Sequence, residues 1–386
     1  MRKIRVPAAL ALALAVLLLP AAGHAAGPSP AGRQITQARA AIEKHPGRFQ
    51  AYNSLALALA RRARETSDTR FYAEAHRALG KSFRLAPDNF EGRRTEAWVL
   101  LGQHEFASAR DAARALQKRA PDDVLVYGFL VDANAELGRY DEAEQAAQWM
   151  LDLRPGNVPG LTRAAYLRET WGDLEGALDF MRQAHDRTPP AEIEDRAWIL
   201  TQMGHLHLVA GRVDAAEKTL DQALALFPGY HYALGNLARV RAAQGRHADA
   251  VALLERRYGS APHPENLHDL AAVLSRAGRD GEARKAYRKF EKQARRESAS
   301  WDNANRELIA YYCGPGKNPR EALRVARIEI ARRQDVHTLD AYAWALHANG
   351  KREEARRVIE KALSVGTRDA TIAAHAGVIA GRPRPS

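Results

Sequence analysis

The stretch Leu137-Gly138-Arg139-Tyr140-Asp141-Glu142-Ala143, closed by Leu153-Arg154-Pro155, decides the fold. Glycine takes positive φ without a steric penalty, so Gly138 ends one helix in a tight turn. The small Ala143 suits the point where a second helix crosses the first closely. Pro155 cannot continue that second helix, and the chain turns away. The same marks recur along the chain. Pro87, Pro121, Pro155 and Pro189 stand 34 residues apart, as do Pro228 and Pro262. Gly138, Gly172, Gly211 and Gly245 each precede one of these prolines by 17 residues. Ala75, Ala109, Ala143, Ala177, Ala216 and Ala250 each precede one by 12. Four glycines in phase at ~7% usage would arise by chance about once in 10⁵ trials, so the period is real.

Between these marks the apolar spacing is helical: Leu220 and Leu224 follow Ala216, and Leu253 and Leu254 follow Ala250. Ala, Leu, Arg and Glu dominate the composition, and no run of alternating β-branched residues would seed a sheet. The predicted class is therefore all-α. With 46% hydrophobic residues the chain has enough apolar surface to pack. One unit alone buries too little of it, so neighbours must stack.

Small residue, Gly, aromatic, Ala and Pro in this order resemble the tetratricopeptide repeat family. The resemblance runs over residues 26–380 and implies a right-handed superhelical solenoid of about nine helix-turn-helix units plus a capping helix. It also implies a concave inner groove. The pattern breaks near residues 60–72, 190–194 and 295–320. About seven extra residues between Ala56 and Ala75 predict longer helices or a longer turn. The second unit places its turn at Gly102-Gln103-His104, two residues early. Pro190 to Glu194 predict a loop or a longer helix. A polar stretch, Arg295 to Asn303, precedes an eighth unit with the turn Cys313-Gly314-Pro315-Gly316-Lys317. The ninth recovers the form at Asn349-Gly350. Asp369 to Ala380 reads as a last helix over the open end, and residues 381–386 as a disordered tail.

Residues 1–25 carry the pattern of a secretory signal peptide. Arg2, Lys3 and Arg5 precede the apolar core Ala8 to Leu19, Pro20 breaks it, and Gly23-His24-Ala25 supplies the small residues of a cleavage site. A retained anchor is the alternative, since Val6 to Ala22 is nearly long enough to span a membrane. Either way the rest of the chain is expected outside the cytoplasm, periplasmic or secreted, with membrane contact only through this segment. The formal charge of +12 falls by three on cleavage. Nucleic acid explains that surplus poorly in an exported protein. A merely soluble surface explains it best, with acidic envelope polymers, anionic lipids or an acidic partner as the alternatives. A single cysteine, Cys313, rules out an intrachain disulfide.

No catalytic set, metal set or cofactor motif is legible, and the chain reads as a non-enzyme. His205 and His207 stand two apart, so on a helix they point to different faces and cannot chelate one ion well. Gly314-Pro315-Gly316-Lys317 lacks the upstream glycine of a phosphate loop, and Asn318 stands where Ser or Thr would hold magnesium. Cys313 has no activating context. Lys285, Arg288, Lys289 and Lys292, with Arg295 and Arg296, form the basic outer side of an amphipathic helix whose other side carries Ala283, Ala286, Tyr287 and Phe290.

In the resembled family, ligands lie along the first helix of each pair. That implies a partner-binding groove of Tyr166, Glu169, His205, Tyr232, Asn236, Arg239, His268, Trp344 and His347. Asn236 and Arg239 are similar to the residues with which some members clamp a peptide carboxylate. The full clamp is absent, its other positions carrying Arg163 and Tyr166. The function expected is an exported scaffold that binds protein or peptide partners of the cell envelope through its groove. The alternative is an accessory factor for an anionic envelope polysaccharide, bound through the basic face.

Overall fold

Short polar side chains start several helices of this protein, and the turn residues end them. In the computed structural model, which describes residues 29–300 and 303–382, Asp123 accepts from the N–H groups of Leu125 and Val126 at 2.9 and 3.1 Å. Asn157 likewise accepts from Gly160 at 2.7 Å. Both satisfy donors that a helix start leaves unpaired. At the far end Gly138 has φ +71°, and the next N–H, Arg139, reaches back to the Asn134 carbonyl at 2.8 Å. This closes the helix in a Schellman turn. Ahead of Pro155, Arg154 is extended at φ −141°, ψ 87°, the region a following proline imposes.

These rules produce twenty helices and no strand among the described residues. α1 (Pro30–Lys44) leads into nine pairs. The first four are α2 (Phe49–Thr66) with α3 (Arg70–Leu85), α4 (Phe90–Gly102) with α5 (Phe106–Arg119), α6 (Val124–Glu136) with α7 (Tyr140–Leu153), and α8 (Val158–Thr170) with α9 (Leu174–Arg187). Next come α10 (Ile193–Val209) with α11 (Val213–Leu226), α12 (His231–Ala243) with α13 (His247–Ser260), and α14 (Pro264–Arg276) with α15 (Asp280–Glu297). The last are α16 (Asn305–Cys313) with α17 (Pro319–Arg332) and α18 (Val336–Ala348) with α19 (Arg352–Leu363), followed by α20 (Ala370–Ile379). The six in-phase alanines, Ala75, Ala109, Ala143, Ala177, Ala216 and Ala250, are each 0% exposed. A larger side chain at any of them would push the paired axes apart. None of the described helices is long and apolar enough to cross a membrane. The signal segment read at residues 1–25 and the final four residues of the tail lie outside the described residues.

The departures from the period take definite shapes. The extra residues near 60–72 lengthen α2 to 18 residues, against 13 in α6 or α8. Those at 190–194 form a short link and lengthen α10 to 17 residues. The turn of the second unit is not early. His104 takes the left-handed conformation, φ 60°, 34 residues before Gly138, while Gly102 is the last residue of α4. Histidine tolerates this region better than most residues, so no glycine marks the turn in the sequence.

The superhelix returns onto itself. Arg64, near the end of α2, pairs with Glu194 and, at 3.1 Å, with Asp195, both on α10. His231 Nε2 donates to the Arg64 carbonyl at 2.9 Å. Arg333 pairs with Glu136, the Gln334 N–H donates to the Glu136 carbonyl at 2.8 Å, and the Val336 N–H donates to Tyr140 Oη at 3.1 Å. The turn at Trp171-Gly172 packs against Gly366 and Arg368, just before α20. The inner groove is therefore enclosed by contacts between successive turns rather than open along its length.

Candidate functional site

Enclosure turns part of the groove into a chamber. The first helices of the last six pairs, together with α20 and the loop before it, line a cavity of about 460 Å³. Six of the nine inner-face residues expected from the sequence reach it: Tyr166, Glu169, His205, Arg239, His268 and Trp344. The other three do not. Tyr232 packs on Tyr230 and His231, with ring centroids 5.5 and 3.9 Å away. Asn236 donates to the Tyr232 carbonyl at 3.0 Å. His347 stacks on Trp344 at 5.4 Å. Trp344 is itself stacked with His375 at 4.1 Å and is 8% exposed, which leaves little ring face for a ligand.

The lining is polar, and its carboxylates are engaged from within. Glu169 meets His205 Nε2 at 2.7 Å. Asp340 meets His375 Nδ1 at 2.9 Å. Asp269 accepts from Arg257 at 2.5 Å. Asp369 caps α20, accepting from the N–H groups of Thr371 and Ile372. Burial works against the Asp269 charge, yet hydrogen bonding to His268 and the Arg257 guanidinium hold the carboxyl down at about 2. Glu307 behaves oppositely: burial first, then the charge of Glu265, push its carboxyl up. Burial and then Arg306 push the His337 imidazole down, and burial raises the Tyr166 phenol. These groups are surrounded by protein yet not sealed, the Asp269 side chain keeping 42% of its surface accessible.

Arg306, His337, Asp340, Arg368 and His375 also line the chamber and were not singled out from the sequence. Three lie on first helices: Arg306 on α16 of the irregular eighth pair, and His337 and Asp340 on α18 of the ninth, ahead of Trp344. Arg368 and His375 belong to the capping segment, which carries no repeat signature. His207 points elsewhere and accepts from Arg212 at 3.2 Å, as the two-residue spacing from His205 requires. Cys313 is half-buried, and burial pushes its thiol up to about 12, far from a reactive thiolate.

On the outside, Lys285, Arg288, Lys289 and Lys292 are exposed along α15, together with Arg284, Arg295 and Arg296. Ala283 and Phe290 on the opposite side are buried. Lys289 Nζ lies 4.6 Å from the Tyr258 ring centroid.

Comparison with known proteins agrees with the repeat. A tetratricopeptide repeat family model matches residues 94–158 and 201–263. Among curated proteins, Cellulose synthase operon protein C of Xanthomonas axonopodis pv. citri (strain 306) is 30% identical over 199 residues. That alignment takes in 49% of this chain and 13% of the relative, so it reaches only a small part of that protein. Among solved structures, a human IFIT1 dimer with PPP-AAAA superposes with TM-score 0.51 at 15% identity, covering 86% of this chain and 87% of that one. The APC/C hetero-tetramer Cut9-Hcn1 gives TM-score 0.50 at 13% identity, covering 90% of this chain and 58% of that one. At such identities the likeness is one of fold.

Proposed function

Because the chain is a tetratricopeptide repeat protein, we propose that it is an exported scaffold which holds protein partners of the cell envelope against the inner face of its superhelix. A scaffold for protein interaction is the general role of this repeat, which is not generally catalytic. The observation that carries the inner face is the convergence of six first-helix side chains on one chamber. A partner there would meet mixed aromatic and charged groups, with its energy concentrated in a few of them. Export rests on the basic start, apolar core and small-residue site of residues 1–25.

A photo-crosslinking residue placed at Tyr166 should capture a partner from envelope extracts, and one placed at Lys289 should not. Capture from Lys289 alone would overturn the inner-face reading. N-terminal sequencing of envelope protein should begin near Ala26; a product retaining residues 1–20 would rule out cleavage. The second reading, an accessory factor for an anionic polysaccharide, draws on the exposed basic side of α15 and on the name of the curated relative. It predicts binding that falls steeply with salt and with reversal of Lys285, Lys289 and Lys292.

A further inference from the structure

The charges of the chamber wall are not evenly matched. Glu169, Asp269, Asp340 and Asp369 each have an internal partner. Glu307 also lines the chamber, and burial with the charge of Glu265 pushes its carboxyl up. Of the three arginines in the lining, Arg306 lies 3.7 Å from Asp335, a carboxylate already taking Arg333, Thr338 and two backbone N–H groups. Arg239, on α12, and Arg368, in the loop before α20, have no hydrogen-bond or ion-pair partner among the described residues. Both arginines are exposed, so water solvates them in the free chain. Each also presents a planar fork of donors shaped for carboxylate or phosphate oxygens.

We infer that the chamber takes a ligand bearing oxyanion groups, carboxylate or phosphate, held by Arg239 and Arg368. This rests on the reading that the inner face is the binding surface and supplies the chemistry of what binds there. A cavity of about 460 Å³ lies toward the smaller end of the ~300–1,000 Å³ usual for small-ligand sites. It suits a small dianion or a few residues of an acidic segment of a protein partner. Arg239 belongs to the sixth pair and Arg368 to the segment that closes the ring against Trp171-Gly172. A bound oxyanion would therefore fasten the cap to the body of the superhelix, stabilising the folded chain by mass action.

The test is calorimetric titration of the full chain with citrate, pyrophosphate and a hexaglutamate peptide at matched ionic strength, with thermal melts alongside. Saturable one-to-one binding and a raised melting temperature are expected. Arg239→Gln and Arg368→Gln should each weaken binding about tenfold and leave the ligand-free melt little changed. Arg239→Lys serves if the glutamine variant folds poorly; it keeps the charge but loses the fork and should bind with intermediate strength. Preference for pyrophosphate assigns a phosphate ligand, preference for citrate a free carboxylate, and preference for hexaglutamate an acidic segment. Stabilisation that tracks ionic strength alone, or binding unchanged in both glutamine variants, would overturn the assignment. The scaffold reading fails by a different observation, crosslinks confined to the outer face, so the two failures are separable.

Discussion

Within the stack, helices meet their sequence neighbours through apolar side chains; one superhelical turn away, pairs meet through charges and backbone. Val126, Val131, Ala133, Ala143 and Met150 are each 0% exposed in the stack. In the seams the contacts are Arg64 with Glu194 and Asp195, and Arg333 with Glu136. Stacking buries area between units that are always adjacent, so it needs no specificity and repeats with the period. A seam must join residues 130 or more positions apart in the chain, and directional polar contacts fix which turn meets which.

The largest effect that separates the two kinds of contact is expected from acid. His231 is 1% exposed at the first seam, and burial pushes its imidazole down to about 4. The unfolded chain, near the usual 6.5, takes up this proton first. The stabilisation is therefore complete above pH 6.5 and is lost as pH falls toward 4, by about 1.4 kcal/mol per pH unit, on the order of 3 kcal/mol in all. His104 at another turn is pushed down to about 3 by burial and then Arg333, and adds in the same direction. Urea unfolding at pH 7 and 4.5 reads the loss. His231→Gln, which retains a donor for the Arg64 carbonyl, should lessen it and leave the part due to His104; an unchanged pH slope would mean that the seam does not exclude water from the His231 ring.

A pair of glycines sharpens the contrast at nearly the same backbone geometry. Gly138 and Gly211 have φ +71° and +74°. A Cβ on Gly211 meets nothing within 4 Å, whereas one on Gly138 comes within 2.7 Å of the Gln334 carbonyl oxygen across the seam. Gly211→Ala should cost about 1 kcal/mol, the left-handed penalty alone. Gly138→Ala should cost about 2–3 kcal/mol, because the clash is with backbone that cannot swing away. Equal losses in thermal melts would show that the seam is open in solution. Arg64→Met comes next, at about 2 kcal/mol. It strands Glu194, 8% exposed, but Tyr230 still donates to that carboxylate and Arg64 itself is 30% accessible, so the full buried-pair figure does not apply.

The stack was legible in the sequence because one period writes it: the in-phase alanines and glycines and the prolines that follow the second helices are one physical requirement repeated. Seams leave no period. Their residues appear as interruptions, and the structure shows what the interruptions are for. The added residues near 60–72 lengthen α2, whose C-terminal end carries Arg64, and those at 190–194 bring Glu194 and Asp195 to meet it. Each insertion was visible; that the two are mates across a superhelical turn was not, because nothing local couples them. The chamber was half legible for the same reason. First-helix positions in regular pairs, such as Tyr166 and Arg239, were found. Arg306, Arg368 and His375 come from the irregular eighth pair and from the cap, where no repeat register points inward.

The smallest effect is expected where neither kind of contact operates. Lys285, Lys289 and Lys292 on α15 face solvent, while the helix is held by Phe290 and Ala294, both 0% exposed, on its other side. Reversing all three lysines to Glu removes one cation–π contact, Lys289 over Tyr258, worth about 0.5 kcal/mol at an exposed site. It also relieves repulsion from Arg284, Arg288, Arg295 and Arg296, which acts in the opposite sense. The two terms are of similar size and opposite sign, so the melting temperature should shift by no more than about 0.5 kcal/mol implies. Titration of the chamber with citrate should be unaffected beyond a modest change at low salt, since screened charges on the far side of a helix act weakly. Retention on a polyanionic resin should drop, because reversal of these ammonium groups cancels most of the positive charge that Arg284, Arg288, Arg295 and Arg296 share with them on the exposed side of α15. A loss above about 1 kcal/mol would instead make the basic side of α15 part of the packing, and the division between stack, seam and free surface would have to be redrawn there.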